Sequence, residues 1–147
     1  MRKFEVIEKY KNSGIAIPKR ATDSSAGYDL ASVENVIIEP GEIKMIPTGL
    51  KVTMPKTEAL FIFARSSLSI KKGLMMSNSV GVIDSDYYNN PDNEGHLMVS
   101  LINVRNEAMS IKKGERVAQG IFLRYEKTSD DETNGNVRLG GFGSSGH

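Results

Sequence analysis

Residues 36–46 read Val-Ile-Ile-Glu-Pro-Gly-Glu-Ile-Lys-Met-Ile, two short apolar runs on either side of a Pro40-Gly41 turn. Short apolar runs between glycine or proline turns are typical of β-strands and leave little room for helices. Similar runs recur at residues 36–38, 43–46, 59–63, 97–102 and 117–123. The pattern predicts an all-β sandwich or jelly roll.

One short helix is predicted among these strands. The segment Ser66–Lys72 begins with hydroxyl side chains that can cap a helix, and it is followed by Gly73, a residue type that commonly ends one. Residues 38–42 and 111–115 share the outline Ile, two residues, Gly-Glu. We interpret these two segments as the starts of hairpins rather than as an internal repeat.

The composition indicates one domain without cysteine chemistry. The chain has 147 residues, 39% of them apolar, with 19 Lys and Arg against 18 Asp and Glu. A single domain of this size buries roughly 68–70% of its unfolded surface, which is enough to fold without disulfides. With no Cys and only His96 and His147, a zinc site and a cysteine nucleophile are effectively excluded, and any bound metal should have oxygen ligands. The net charge of +1 argues against a basic face that binds nucleic acid.

The sequence contains no recognisable targeting or membrane segment. No apolar run approaches the ~20 residues of a membrane span, and the N-terminus MRKFEVIEKYK lacks the apolar core of a signal peptide. We therefore expect a cytoplasmic protein that does not bind membranes.

Carboxylates are the residues best suited to hydrolysis, because neither histidine is expected to face a serine. His96 lies in a polar segment and His147 is the last residue, so we interpret both as surface side chains. Asp29 and Asp84 each follow apolar residues in segments rich in Gly, Ser and Tyr, and either could act as a base. Taken alone, each is better explained as a turn residue that bonds its own backbone.

Arg65, Ser66 and Ser67 form a group suited to an anion. They follow an apolar run at the predicted start of the helix. A guanidinium offers paired planar donors, and hydroxyls and free backbone N–H groups add more. A capped helix with a solvated arginine explains the same residues equally well.

The C-terminal residues differ in composition from the rest of the chain. Residues 126–136 are polar and acidic, and five of the fourteen glycines fall within residues 135–147. Composition alone favours a disordered tail. Arg138 and Phe142 are nevertheless a cation and an aromatic residue that a plain flexible tail does not need.

Five motifs occur in order along almost the whole chain: residues 26–30 (AGYDL), 64–68 (ARSSL), 78–87 (NSVGVIDSDY), 114–119 (GERVAQ), and Arg138 followed by 140–146 (GGFGSSG). In content and order they resemble the motifs of the trimeric dUTPases (deoxyuridine triphosphate nucleotidohydrolases). The resemblance implies a β jelly roll or distorted barrel over residues 1–125. Residues 126–147 would be a flexible arm that closes over a neighbouring subunit's active site, in a homotrimer with three shared sites.

The resemblance also implies the reaction and the roles of individual residues. The reaction would be the Mg²⁺-assisted hydrolysis of dUTP to dUMP and pyrophosphate, which limits uracil incorporation into DNA and supplies dUMP for dTMP synthesis. Asp84 would be the general base, and Asp29 and Gln119 would hold Mg²⁺ through water. The remaining substrate contacts would come from Arg65, Ser66 and Ser67 at the phosphates, from Asn78, Gly81, Val82 and Ile83 at uracil, from Tyr87 at the deoxyribose, and from Arg138, Phe142, Gly143, Ser144 and Ser145 of the arm.

One departure from the family pattern lies beside the expected sugar pocket. The family normally has one residue and then Gly after the tyrosine of the third motif, whereas here residues 88–94 precede Gly95. This insertion leaves two adjacent tyrosines. We select Tyr87 rather than Tyr88 as the sugar-facing residue because of its spacing from Asp84.

Two other functions remain open from the sequence. The dCTP deaminases share the fold and an Arg-Ser-Ser motif, but deamination of a base does not account for residues 81–87 or for the glycine-rich arm. Ammonia release from dCTP would identify that activity. A catalytically idle relative that binds a nucleotide or a regulatory protein should have lost Asp84 or the arm, and this sequence has both.

Overall fold

The structure, a computed structural model, describes residues 1–133, 135 and 138. These residues form eleven strands and one α-helix: β1 Lys3–Val6, β2 Tyr28–Ala31, β3 Val36–Ile38, β4 Ile43–Pro47, β5 Leu50–Thr53, β6 Glu58–Ala64, α1 Ser66–Lys72, β7 Leu74–Met76, β8 Gly81–Asp84, β9 Met98–Asn103, β10 Met109–Ile111 and β11 Arg116–Arg124. Short 3-10 helices occupy Glu8–Tyr10 and Ser85–Tyr87. The prediction of an all-β chain with one short helix is confirmed. Within the described residues, no helix has the length and apolar character that crossing a membrane requires.

The strands form four antiparallel sheets, which do not close into a barrel over the residues described. The largest has the order β2-β11-β6-β8, and a three-stranded sheet has the order β4-β9-β7. The remaining strands pair as β1-β5 and β10-β3. The four-stranded sheet contains residues of the first four sequence motifs, so its registers determine which site residues lie close together.

One hydrophobic core joins the sheets. In β9, Val99 and Leu101 are fully buried while Ser100 and Ile102 are partly exposed, the alternation expected of a strand with one face inside. Leu60 and Ile62 of β6 are buried in the same cluster. Each fully buried aliphatic side chain stabilises the fold by about 1.5–3 kcal/mol relative to exposure.

Helix α1 ends as the sequence predicts, but it begins differently. Gly73 has a φ of 62°, in the left-handed region, and its N–H donates to the Ser69 carbonyl at 3.0 Å. The prediction of a hydroxyl cap is wrong. Arg65 occupies the N-cap position, and its side chain makes no capping hydrogen bond in the described part of the chain. The Ser69 hydroxyl instead donates to the Ser66 carbonyl.

The two Ile-x-x-Gly-Glu segments are corners between sheets, so the interpretation of them as hairpin starts is wrong. Residues 38–42 lead from β3 to β4, and residues 111–115 lead from β10 to β11; in both cases the two strands belong to different sheets. The two corners contain the same local hydrogen bond. The Glu42 and Glu115 carboxylates each accept from the backbone N–H three residues earlier, at 2.9 and 3.1 Å. Since β3 and β10 pair antiparallel, the corners lie at opposite ends of that pair.

Candidate active site

A cavity of about 390 Å³ lies beside β8 and the turn that precedes it. The cavity is lined by the residues predicted to contact uracil and the deoxyribose and by the predicted general base, together with Arg138. They are Asn78, Gly81, Val82, Ile83, Asp84 and Tyr87. Ile62 of β6 and four residues of the three-stranded sheet complete the lining: Met45, Met76, Met98 and Ser100. The cavity therefore lies between the two larger sheets.

The turn before β8 is tight. Ser79 has a φ of 65°, and the Val80 N–H donates to the Asn78 carbonyl at 2.8 Å. Gly81 packs on β6 so closely that a Cβ there would lie 3.3 Å from Cβ of Ile62. The backbone of the third motif is thus pressed against its neighbouring strand, and its polar groups border the cavity.

Asp84 lies at the mouth of the cavity. It is the last residue of β8, and 51% of its side chain is exposed. Arg138 donates a hydrogen bond to Asp84, and its Nε donates to Oδ1 of Asp86 at 2.7 Å. Arg138 of the fifth motif therefore offsets the negative charge of Asp84 and Asp86 in its own chain.

Tyr87, rather than Tyr88, lines the cavity. The residue is 4% exposed, and its hydroxyl donates to the His96 carbonyl at 2.9 Å. Burial raises the pKa of this hydroxyl, an effect that the Asn93 hydrogen bond and the Arg138 charge oppose. Tyr88 turns elsewhere: its hydroxyl donates to Glu5 at 2.7 Å, and the Lys51 ammonium lies 4.9 Å from its ring centroid.

A second group of predicted site residues lies at the other end of the four-stranded sheet. Arg65 follows β6 directly, and Ser66 and Ser67 open α1. Across the sheet, Gln119 of β11 is paired with Asp29 of β2. Gly27 makes this approach possible, because a Cβ there would overlap the Gln119 side chain. Ala64 is paired with Ala118, which brings the second motif beside the fourth.

Within one chain, the two groups of residues are far apart. Asp84 is paired with Ala59, whereas Arg65 lies six positions further along the chain, directly after β6. At about 3.3 Å per residue, this separates Asp84 from the Arg65 end of the sheet by roughly 20 Å. Asp29 lies three strands away from β8 in the same sheet. The phosphate-binding candidates therefore do not face the Asp84 cavity of their own chain.

The oxygen donors near Asp29 suit a metal ion that keeps water ligands. Within residues 1–133, 135 and 138, no cluster of three or more His, Asp or Glu is arranged to hold a metal. Asp29 accepts a hydrogen bond from Nη1 of Arg116 at 3.4 Å, and Gln119 lies opposite it. One carboxylate and one amide do not make a closed cage. Mg²⁺ normally keeps several waters and binds substrate phosphates, so this donor set fits it.

His96 is buried, so its interpretation as a surface side chain is wrong. It is 9% exposed, and its Nε2 accepts a hydrogen bond from the Gly49 N–H at 2.9 Å. Burial lowers the pKa of its imidazole to about 4. The polar residues before it do not signal exposure, because Asn90 and Asn93 bond backbone N–H groups of their own loop, those of Asp92 and Gly95.

Sequence reasoning also missed Asn93, which donates to the Tyr87 hydroxyl at 2.8 Å. Its position in an asparagine-rich insertion was the only available signal. Phe142, Gly143, Ser144 and Ser145 of the arm, and His147, lie outside the described residues.

Comparison with known proteins gives a consistent result over the whole chain. A family model described as dUTPase matches residues 13–146. The deoxyuridine 5'-triphosphate nucleotidohydrolase of Lactococcus lactis subsp. lactis is 55% identical over 147 residues, covering 99% of this chain and 98% of that protein. The crystal structure of dUTPase from Streptococcus mutans matches with a TM-score of 0.82 and 45% identity, covering 86% of this chain and 98% of that chain. A mutant dUTPase of Staphylococcus bacteriophage 80alpha with dUpNHpp shares the fold, with a TM-score of 0.73 and 23% identity over 100% of this chain and 99% of that chain.

Proposed function

This chain belongs to the dUTPase family and is a dUTP nucleotidohydrolase, and from that premise we propose how its residues share the reaction. Asp84 is the general base that takes a proton from the water attacking dUTP, which yields dUMP and pyrophosphate. The observation that carries this role is a half-exposed carboxylate at the mouth of a cavity lined by the third motif. Such turnover would limit uracil incorporation into DNA and supply dUMP for dTMP synthesis.

The charge around Asp84 suits a base that becomes free when substrate binds. Arg138 bonds Asp84 and Asp86 in the substrate-free chain. The γ-phosphate of a substrate in the neighbouring site that the arm serves would compete for the same guanidinium, since Arg binds phosphate in a bidentate manner. Asp84 would then accept a hydrogen bond from the attacking water instead.

Arg65, Ser66 and Ser67 are the proposed phosphate ligands. A guanidinium and two hydroxyls supply donors to the oxygens on which negative charge develops as water attacks phosphorus. The anchoring of Arg65 between β6 and α1 supports this role, because it directs the group from a rigid strand end.

Asp29 and Gln119 would hold Mg²⁺ through its water ligands. When bound to the triphosphate, Mg²⁺ neutralises charge on the phosphoryl oxygens. The pairing of Asp29 with Gln119 across β2 and β11 supports a shared role for the two side chains. Gln119 also offers an amide donor to a phosphate oxygen.

The nucleoside would lie in the cavity beside β8. Asn78 and the backbone of Gly81, Val82 and Ile83 would bond the uracil edge, while the Tyr87 ring would lie against the deoxyribose. The ring leaves no room for a 2′-hydroxyl. Phe142, Gly143, Ser144 and Ser145 would close the arm over the base and the γ-phosphate and exclude water.

We also propose a homotrimer in which neighbouring copies complete each site. The roughly 20 Å between Asp84 and the Arg65 end of the sheet supports it, because the two groups can meet only between copies. An exposed apolar face provides a surface for the contact: Ile43 is 57% exposed, Met75 is 48% exposed, and both are paired with Ile102 of β9. Contiguous exposed apolar residues commonly mark subunit interfaces. A closed ring of three identical contacts would build three equivalent sites.

Pyrophosphate release tests the proposed function. The purified protein would be incubated with Mg²⁺ and each deoxynucleoside triphosphate in turn, and with UTP. We expect pyrophosphate from dUTP, with far slower release from the others. Ammonia from dCTP would identify a deaminase, and binding of dUTP without release would identify an idle relative.

A further inference from the structure

We propose that Asn93, in the insertion of residues 88–94, is a positioning residue that holds the Tyr87 ring at the sugar and thereby determines how strongly UTP is rejected. The inference rests on the proposed role of Tyr87. It assigns a task to a segment that the five motifs leave unexplained.

The contacts of Asn93 connect the insertion directly to Tyr87. Nδ2 of Asn93 donates to the Tyr87 hydroxyl at 2.8 Å, and that hydroxyl donates to the His96 carbonyl at 2.9 Å. Oδ1 of Asn93 accepts from the Gly95 N–H at 3.0 Å. The hydroxyl is therefore held from two directions, and the far end of the ring cannot shift without breaking one of these bonds.

The insertion itself is hydrogen-bonded to two other parts of the chain. Lys51 of β5, whose side chain is 12% exposed, bonds Glu94 at 2.7 Å and Asn89 at 2.6 Å. Glu94 also accepts a hydrogen bond from the backbone N–H of Glu8 at 3.0 Å. Bonds to a charged group are stronger than neutral ones, and this lysine is largely shielded from water. Asn93 therefore acts from a rigid support.

Exclusion by shape depends on this rigidity. Ribose differs from deoxyribose by one hydroxyl, so the enzyme must keep a wall within atomic contact of the sugar. A displacement of about 1 Å in a positioned group can change rates by up to ~10²-fold. Tyr87 lines the cavity and is nearly wholly buried, so a shift of its ring changes the cavity wall directly.

The test is the ratio of kcat/KM for dUTP to kcat/KM for UTP in Asn93→Asp. This substitution keeps an oxygen for the Gly95 N–H but replaces the donor to Tyr87 with a second oxygen. The single Tyr87 hydroxyl proton can then bond that oxygen or the His96 carbonyl but not both, so one of the two bonds is lost. We expect the ratio to fall roughly fivefold, the value of one hydrogen bond, with the loss arising mainly from faster UTP turnover. Asn89→Asp is the matched control, because it adds the same charge to the same loop and keeps an acceptor for Lys51; its ratio should stay at the parental value.

The Tyr87→Phe background separates positioning from a general effect on the loop. Tyr87→Phe removes the hydrogen bond from Asn93 together with the one to the His96 carbonyl, and it should itself lower the ratio. Adding Asn93→Asp should then cause no further fall. An unchanged ratio in Asn93→Asp, or an equal fall in both backgrounds, would overturn the inference. If Asn93→Asp does not fold, an unchanged ratio in Tyr87→Phe alone would overturn it.

Tyr87→Ala distinguishes failure of this inference from failure of the proposed function. If Tyr87→Ala leaves the ratio unchanged, Tyr87 does not face the sugar, and both the proposed role and the inference are wrong. If Tyr87→Ala lowers the ratio while Asn93→Asp does not, the sugar role stands and the inference about Asn93 alone fails.

Discussion

Asp84 and Asp86 offer a comparison between two carboxylates that share one arginine. Asp84→Asn should lower turnover of dUTP by at least ~10²-fold, because an amide cannot accept the proton of the attacking water. Binding of dUTP should survive, since the substitution preserves shape. Steady-state turnover and equilibrium binding measure the two quantities separately.

Asp86→Asn is the control for this substitution, because it also alters a carboxylate bonded to Arg138. Its turnover should remain within a few-fold of the parental protein. Near-normal turnover in Asp84→Asn would show that another group is the base.

Buried His96 makes stability depend on pH. Its pKa is about 4 in the folded chain and 6.5 as the reference value. Between these values the unfolded chain binds a proton that the folded chain does not, so the free energy of unfolding falls as the pH decreases from about 6.5 to 4. The full loss is about 3 kcal/mol.

His96→Gln should remove this dependence, because an amide oxygen can still accept the Gly49 hydrogen bond but does not titrate in this range. Urea denaturation of both proteins at several pH values between 4 and 7 would compare them. The parental protein should lose about 3 kcal/mol more than the variant over that interval. Equal losses in the two proteins would mean that His96 is not the source.

At the scale of an element, the C-terminal arm is expected to serve activity rather than stability. The buried core of the described residues comes from residues 4–118. Deleting residues 140–147 should therefore leave the thermal unfolding temperature nearly unchanged while kcat/KM for dUTP drops sharply, because the site can no longer exclude water. Phe142→Ala should reproduce part of the loss. Full activity in the truncated protein would assign the segment no catalytic role.

At the scale of the whole molecule, mixed trimers test whether the sites are shared. Asp84→Asn subunits and subunits lacking residues 140–147 should each be nearly inactive, yet recover activity when co-expressed. We expect each site to take its base from one subunit and its arm from another. In a three-fold ring built in this way, every mixed trimer has one site with an intact base and an intact arm. Random equal assembly makes about three-quarters of trimers mixed, and one good site in three leaves roughly one-quarter of the parental activity.

The contact of Arg138 with Asp84 suggests the alternative outcome of this experiment, in which base and arm come from the same subunit. If the arm served the site of its own chain, as that contact would allow, no mixed trimer would contain a complete site. Mixed trimers identified by mass spectrometry but without recovered activity would then place base and arm on the same subunit.

Local sequence was sufficient for much of the secondary structure and for the grouping of the third motif in one segment. The apolar runs at residues 36–38 and 117–123 lie in strands β3 and β11, and the helix Ser66–Lys72 ends at Gly73 as predicted. Alternation of apolar residues, turn residues and caps act over a few neighbouring positions, so a short window contains them. The third motif is equally local, and six of its ten residues line a single cavity: Asn78, Gly81, Val82, Ile83, Asp84 and Tyr87.

Long-range contacts were required for the remainder. The corners at residues 38–42 and 111–115 join different sheets, His96 is buried under Gly49, and Asn93 reaches Tyr87. The separation of Asp84 from Arg65 depends on the register of β6 with β8. Strand partners and burial are decided by the free energy of packing residues that are far apart in the chain. A short sequence window can indicate a strand, but it contains no information about which other residues will pack on that strand.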